Sequence, residues 1–279
     1  MRIIRTTLFI IIFNFIILKA EFIEAPLIKP FAANIYEARI GMVDYATENH
    51  LRLDIGANLD LYQQKLKNNI QFGFGTEFFT YTQLRSEDNF KFPVETIDYY
   101  FGGNFSFIYP IKNYGIEARL RVAHISTHLA DGYNKIAGYY VLLRDTVNFI
   151  MIIPMTYSRE FIDLTLAAKS KDFRPYIGMI YNFHKIPADL PIFIPYVGFD
   201  GNFRLNDWLK VVGGLDFKLN GYEGTMIGMT NMLLGLEFRT AQNRSILLKC
   251  ECYTGKNYYG QFYHQKFDYF GLGFQFNYY

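Results

Sequence analysis

Apolar and polar residues alternate with a period of two along most of the chain, the pattern of strands with two unlike faces. Leu51, Leu53, Ile55, Ala57, Leu59 and Leu61 share one parity, while Arg52, Asp54, Gly56, Asn58 and Asp60 share the other. Ile97, Tyr99, Phe101, Phe105 and Phe107 stand in the same way against Asp98, Gly102, Asn104 and Ser106. The pattern recurs to the end, where Phe270, Leu272, Phe274, Phe276 and Tyr278 alternate. No helical run of period 3.6 follows the first 20 residues. The alternation predicts strands over 35–45, 50–62, 69–83, 96–110, 113–127, 160–168, 173–184, 192–205, 207–219, 225–239, 245–254 and 267–279. Most of these about twelve strands meet the roughly 9–11 residues that a tilted strand needs to cross a bilayer.

The predicted connections sort by length. Every second one is compact and rich in turn residues, as at 65–68, 110–112, 169–172, 206–207 and 242–244, while 84–95, 128–159, 185–191 and 255–266 are long. Bacterial outer-membrane barrels have this asymmetry, with short periplasmic turns and longer extracellular loops. The faces have the matching sense. Arg52, Asp54, Glu77, Glu117, Arg119, Arg121, Lys210, Asp216, Glu237 and Arg239 fall on the polar parity and would line a lumen, while Phe, Leu, Ile and Val would face hydrocarbon. Trp208 would sit at the periplasmic rim. The expected fold is all-β, a closed antiparallel transmembrane β-barrel of about twelve strands.

The N-terminus reads as an address. Two arginines within Met1–Arg5, an apolar run over Leu8–Leu18 and small Ala20 have the form of a secretory signal peptide. The expected organisation is therefore a cleaved signal over 1–20 and an outer-membrane barrel over 21–279.

Composition narrows the function classes. With 28 Lys+Arg against 26 Asp+Glu, the formal charge of +2 supplies no basic footprint for nucleic acid. A hydrophobic content of 51% excludes disorder. The expected partners are outer-membrane lipids and the outer-membrane assembly machinery, whose signal the aromatic C-terminal strand resembles. Cys250 and Cys252 share the outward parity and read as two lipid-facing thiols.

The segment His124-Ile125-Ser126-Thr127-His128-Leu129-Ala130-Asp131 concentrates the candidate chemistry. Alternation along 113–127 puts His124, Ser126 and His128 outward at the extracellular end, with Glu160 opening the next strand at the same height. A serine, a histidine base and a carboxylate form the nucleophile set of acyl transfer. The His-x-Ser pair on a barrel exterior resembles the outer-membrane lipid A deacylases and phospholipases. That resemblance implies Ser126 as nucleophile and His124 as base, with Thr127 standing where those families commonly have Asn. Glu160 as third member rests on its position alone. No cofactor is expected, calcium entering only for a lipid hydrolase. All five histidines, His50, His124, His128, His184 and His264, fall at the predicted extracellular end, on separate loops that make a single metal site improbable.

A wider resemblance runs through Ala25-Pro26-Leu27-Ile28, Glu37-Ala38-Arg39, Asn89-Phe90-Lys91-Phe92, Ile97-Asp98-Tyr99-Tyr100, the stretch from His124 to Asp131, and Tyr157-Ser158-Arg159-Glu160. It resembles an uncharacterised bacterial barrel family, domain of unknown function 1207. The resemblance implies a barrel and an extracellular rim motif that includes His128, Asp131 and Arg159, but no activity. Three roles stand open: a structural or ligand-binding barrel acting through its extracellular loops, a narrow channel using the charged lumen, and a serine-type lipid acyl hydrolase at the outer rim.

Overall fold

The computed structural model describes residues 25–130, 141–142, 149–150, 156–222, 225–241 and 244–278. The expected signal peptide and Asp131 lie outside them. Twelve antiparallel strands close on themselves: β1 (Ile40–Tyr45), β2 (His50–Lys65), β3 (Gln71–Arg85), β4 (Val94–Ile111), β5 (Tyr114–Leu129), β8 (Tyr157–Lys169), β9 (Phe173–Ile186), β10 (Phe193–Arg204), β11 (Leu209–Tyr222), β12 (Thr225–Ala241), β13 (Arg244–Lys256) and β14 (Lys266–Asn277). The two-residue pair β6 (Val141–Leu142) and β7 (Phe149–Ile150) lies within the long connection after β5. β1 pairs with both β2 and β14, which seals the barrel. Closure leaves no open sheet edge in lipid, where an unpaired backbone group would have no water to bond.

Turns at 66–70, 112–113, 170–172 and 205–208 gather at one end of the barrel, here the turn end. The long connections gather at the other, the loop end. Along the wall, Ile55, Phe101, Phe105, Leu164, Ile177, Leu234, Leu248 and Leu272 are exposed and form the apolar band. Tyr109, Tyr114, Phe173, Phe203 and Trp208 are exposed near the turn end, where aromatic rings suit the membrane interface. Cys250 and Cys252 are free thiols on the outer face.

The lumen is filled. Residues 25–39 run up its interior as an irregular plug, so the predicted strand over 35–45 begins only at Ile40. Ile35, Tyr36, Glu37, Ala38 and Arg39 are all buried, on both parities, because wall and plug enclose them on every side. A buried stretch without a ladder must find other partners for its backbone, and the inward charges supply them. Arg174 donates to the carbonyls of Lys29 and Pro30, both at 2.9 Å. Arg121 reaches the Tyr36 carbonyl at 2.7 Å, and Asn231 the Ala33 carbonyl at 2.8 Å. Asp60 and Asp200 accept from the amides of Leu27 and Ala32, at 2.7 and 2.9 Å.

The side chains of the plug complete the network. Glu37 takes two hydrogen bonds from Arg119, one of 2.9 Å, and Arg121 lies between Glu37, Glu77 and Asp163. Arg39 faces Glu251 at 3.8 Å, and Arg52 bridges Asp54 and Glu251 at 3.0 Å each. Of the lumen charges read from the sequence, Arg52, Asp54, Glu77, Glu117, Arg119, Arg121 and Asp216 are buried in this interior. Lys210 and Glu237 pair at 3.0 Å in the turn-end mouth, and Arg239 is exposed beside them.

From the loop end, the connection between β13 and β14 folds inward. Tyr258, Tyr259 and Phe262 are buried there, and Tyr45 bonds the hydroxyls of Tyr258 and Tyr259 at 2.6 and 2.9 Å. The Gly260 amide donates to Asp98 at 2.9 Å. A Cβ at Gly260 would stand 2.4 Å from Tyr157 Cδ1 and 2.7 Å from Thr127 Cγ2, so glycine is what permits this approach.

Candidate active site on the barrel wall

Alternation along β5 turns Arg121, Ala123, Ile125 and Thr127 into the lumen and leaves His124, Ser126 and His128 outside. Thr127 donates to Asp98 within the interior, so it belongs to the packing of the inner loop and not to the outer face. Strand pairing sets Ser126 between Tyr99 of β4 and Ser158 of β8, and His124 between Phe101 and Glu160. The same alternation along β8 turns Arg159 inward. It does not stand on the rim, because its neighbour Glu160 takes the outward face; its guanidinium instead lies 5.0 Å from the ring centres of both Tyr36 and Phe161.

His124 Nδ1 lies 2.6 Å from Glu160 Oε1. The other carboxylate oxygen, Oε2, accepts from Nδ1 of His184 on β9. An ionised carboxylate only accepts, so each Nδ1 carries a proton, and a neutral ring keeps its lone pair on Nε2. A β-bulge between Glu160 and Phe161 interrupts the ladder with β9 and places His184 directly across from Glu160. Bulges commonly re-aim a side chain in this way. The Phe101 ring packs on His124 with centroids 4.7 Å apart, and Ser158 Oγ approaches Glu160 Oε1 at 3.4 Å.

The cluster opens outward. The side chains of His124 and Glu160 are 23% and 30% exposed, and that of His184 is 60% exposed. It lies close to the loop-end termini of β5 and β8, above an exposed apolar field of Leu120, Val122, Leu164 and Leu166. Polar groups on a lipid-facing wall cost least at that interfacial depth. No hydrogen bond among the described residues joins Ser126 to His124.

The remaining loop-end histidines are dispersed. His128 is exposed with its ring edge toward Tyr99, and His50 pairs with Glu95 at 3.0 Å. Among the described residues no group of three or more His, Cys, Asp or Glu side chains is placed to hold a metal ion. Both oxygens of the Glu160 carboxylate are engaged by imidazoles.

The family described as "protein of unknown function (DUF1207)" matches residues 75–278. The chain belongs to that family. Two solved structures share the fold of this DUF1207 chain. An outer membrane phospholipase A from Escherichia coli superposes with a TM-score of 0.56 at 13% identity, covering 89% of this chain and 93% of its own. A Salmonella typhi outer membrane phospholipase, solved as a dimer with bound calcium, gives 0.55 at 11% identity, covering 90% and 94%. At such identities the likeness shows an outer-membrane-type barrel and nothing of activity. No curated protein matches the chain.

Two members of the DUF1207 chain's outer cluster, His184 and Ser158, are not singled out by the sequence pattern. The signal for His184 is only its place at the loop end of a strand. Its meeting with Glu160 depends on a bulge, which alternation does not reveal.

Proposed function

We propose that this barrel is an outer-membrane lipid acyl hydrolase, with Ser126 as nucleophile, His124 as general base and Glu160 as the group that orients His124. The observation that carries this reading is the 2.6 Å contact of Glu160 with His124 Nδ1, which turns the basic Nε2 away from the carboxylate on the face that also bears Ser126. In the reaction His124 takes the Ser126 proton as Oγ attacks an ester carbonyl of a lipid in the outer leaflet. The imidazolium, stabilised by Glu160, then gives that proton to the departing alcohol. Water, deprotonated by the same base, hydrolyses the acyl-Ser126 ester and restores the serine. Apo geometry at such sites is commonly loose and tightens with substrate. The apolar field below would hold the acyl chain. In this reading residues 1–20 are a signal removed on export, and lipids are the principal partner.

The second reading is a barrel that acts only through its loops. What favours it is the lack of a hydrogen bond between Ser126 and His124.

The test is hydrolysis of phospholipid and lipid A by refolded protein in mixed micelles, with and without calcium, beside Ser126→Ala. Turnover by the wild type, reduced at least about 10²-fold in Ser126→Ala, is the expected result. No turnover by a folded, heat-modifiable barrel under either condition rejects the hydrolase.

A further inference from the structure

At the end of the barrel opposite Ser126 lies a cavity of about 160 Å³ floored by Pro30, Phe31 and Ala32, with Lys29, Lys169, Lys171, Arg174 and Lys210 around it beside Asp200 and Glu237. An adjoining cavity of about 140 Å³ shares Lys29, Lys210 and Glu237 with the first and extends to Arg204, Arg239 and Arg244. The whole chain is nearly neutral, so this concentration of cations is local. A ring of charge at the mouth of an open pore would tune ion passage. Here it leads nowhere, because Phe31 and Ala33 above it are fully buried in the filled lumen.

The cations divide by their engagement. Arg174 is spent on structure, with its guanidinium bonded to Asp200 and to two plug carbonyls. Lys169 lies 3.3 Å from Glu117 and Lys210 3.0 Å from Glu237, yet their side chains stay 42% and 36% exposed. Lys171 is exposed on the turn between β8 and β9. Burial first, and then the fields of Lys210 and Lys169, hold the Lys29 ammonium below its ordinary pKa. An anion in the cavity would relieve this crowding.

We infer that the turn-end cavity is a binding site for a phosphate group, held by Lys29, Lys169 and Lys210. Phosphate suits the site better than carboxylate. The planar fork that grips a carboxylate in two places belongs to arginine, and Arg174's is already used; lysines act as point charges, which suits phosphate oxygens in a monoester or a diester. The phosphate has two possible sources: a phospholipid headgroup at the rim, or a soluble phosphate ester. Trp208, the only tryptophan in the chain, borders the adjoining cavity and reports on both.

The experiment uses the full-length refolded barrel and Trp208 fluorescence at low salt. One arm titrates sn-glycerol 3-phosphate into the detergent-solubilised protein. The other follows quenching in nanodiscs of phosphatidylcholine doped with brominated phosphatidylglycerol. The double variant Lys29→Gln/Lys210→Gln should weaken the response at least tenfold, while Lys112→Gln, on a separate turn, leaves it unchanged. A lysine-dependent response to glycerol phosphate assigns a soluble ester; one confined to the brominated lipid assigns a headgroup. Lys171→Gln serves as a milder variant should the double one fail to fold, with a smaller loss of the same sign. No response from the folded wild type in either arm, or equal losses in Lys112→Gln, overturns the site.

Discussion

Glu160 serves two imidazoles with one carboxylate, and this sharing makes a prediction at the scale of single residues. His184 holds Oε2 while His124 takes Oε1, so His184 fixes the rotamer through which Glu160 aims the base. Loss of one charge-assisted hydrogen bond is worth about 1.5–3 kcal/mol. If the hydrolase reading is right, His184→Phe should lower kcat about tenfold or more with KM little changed. His184→Asn, which keeps a donor, should recover much of the loss. Equal kcat in all three proteins would make His184 a bystander. The facing of Ser126 and His124 follows from alternation along β5 and is legible in the sequence. Arg159 shows the limit of that reading: its inward turn follows from the same alternation, whereas a motif resemblance would put it on the rim. His184 was not legible as a member of the cluster, because residues on β8 and β9 meet only through strand register and a bulge.

Among elements, the plug is the one that alternation misassigns. Its hydrophobic and charged residues mimic a strand over 35–45, yet both parities are buried inside the barrel. Period two reports two unlike faces, and a segment surrounded by polar and aromatic walls has none. Glu37 ties the plug to Arg119 and Arg121. Replacing Glu37 by Gln leaves buried guanidinium charge uncompensated, at a cost of about 3–5 kcal/mol, which a lowered urea midpoint of the folded barrel would register. Burial by itself would raise the Glu37 pKa, but Arg119 and Arg121 more than reverse this and hold it below the usual carboxylate value. Its contribution is therefore complete above the unfolded pKa of about 4.3 and is lost as pH falls through the still lower folded value. Wild type should lose stability on acidification below about pH 4 more steeply than Glu37→Gln. Parallel pH profiles would remove Glu37 as the cause.

For the whole molecule, strand number, closure and the sorting of short turns to one end were legible, because a lipid-facing wall imposes alternation on every strand. Whether the polar lumen is open was not, since paired charges and a wet channel give the same sequence pattern. In the structure the inward charges bond the plug, and Tyr258, Tyr259 and Phe262 close the loop end. The refolded protein should therefore show no steady conductance steps in a planar bilayer at moderate voltage, and Arg119→Glu should not create an ion-selective pore of the wild-type geometry. Regular open-channel steps from the wild type would contradict the filled lumen.

The plug also sets an order of events in folding. Its bonds span great lengths of chain: 82 residues from Glu37 to Arg119, 168 from Ala32 to Asp200 and 198 from Ala33 to Asn231. Contacts of such sequence separation form slowly, since most of the intervening chain must first be in place. Synthesis delivers the plug before any strand, but its bonding partners on β10 and β12 arrive near the end. Residues made ahead of the barrel strands are thus among the last to find their places.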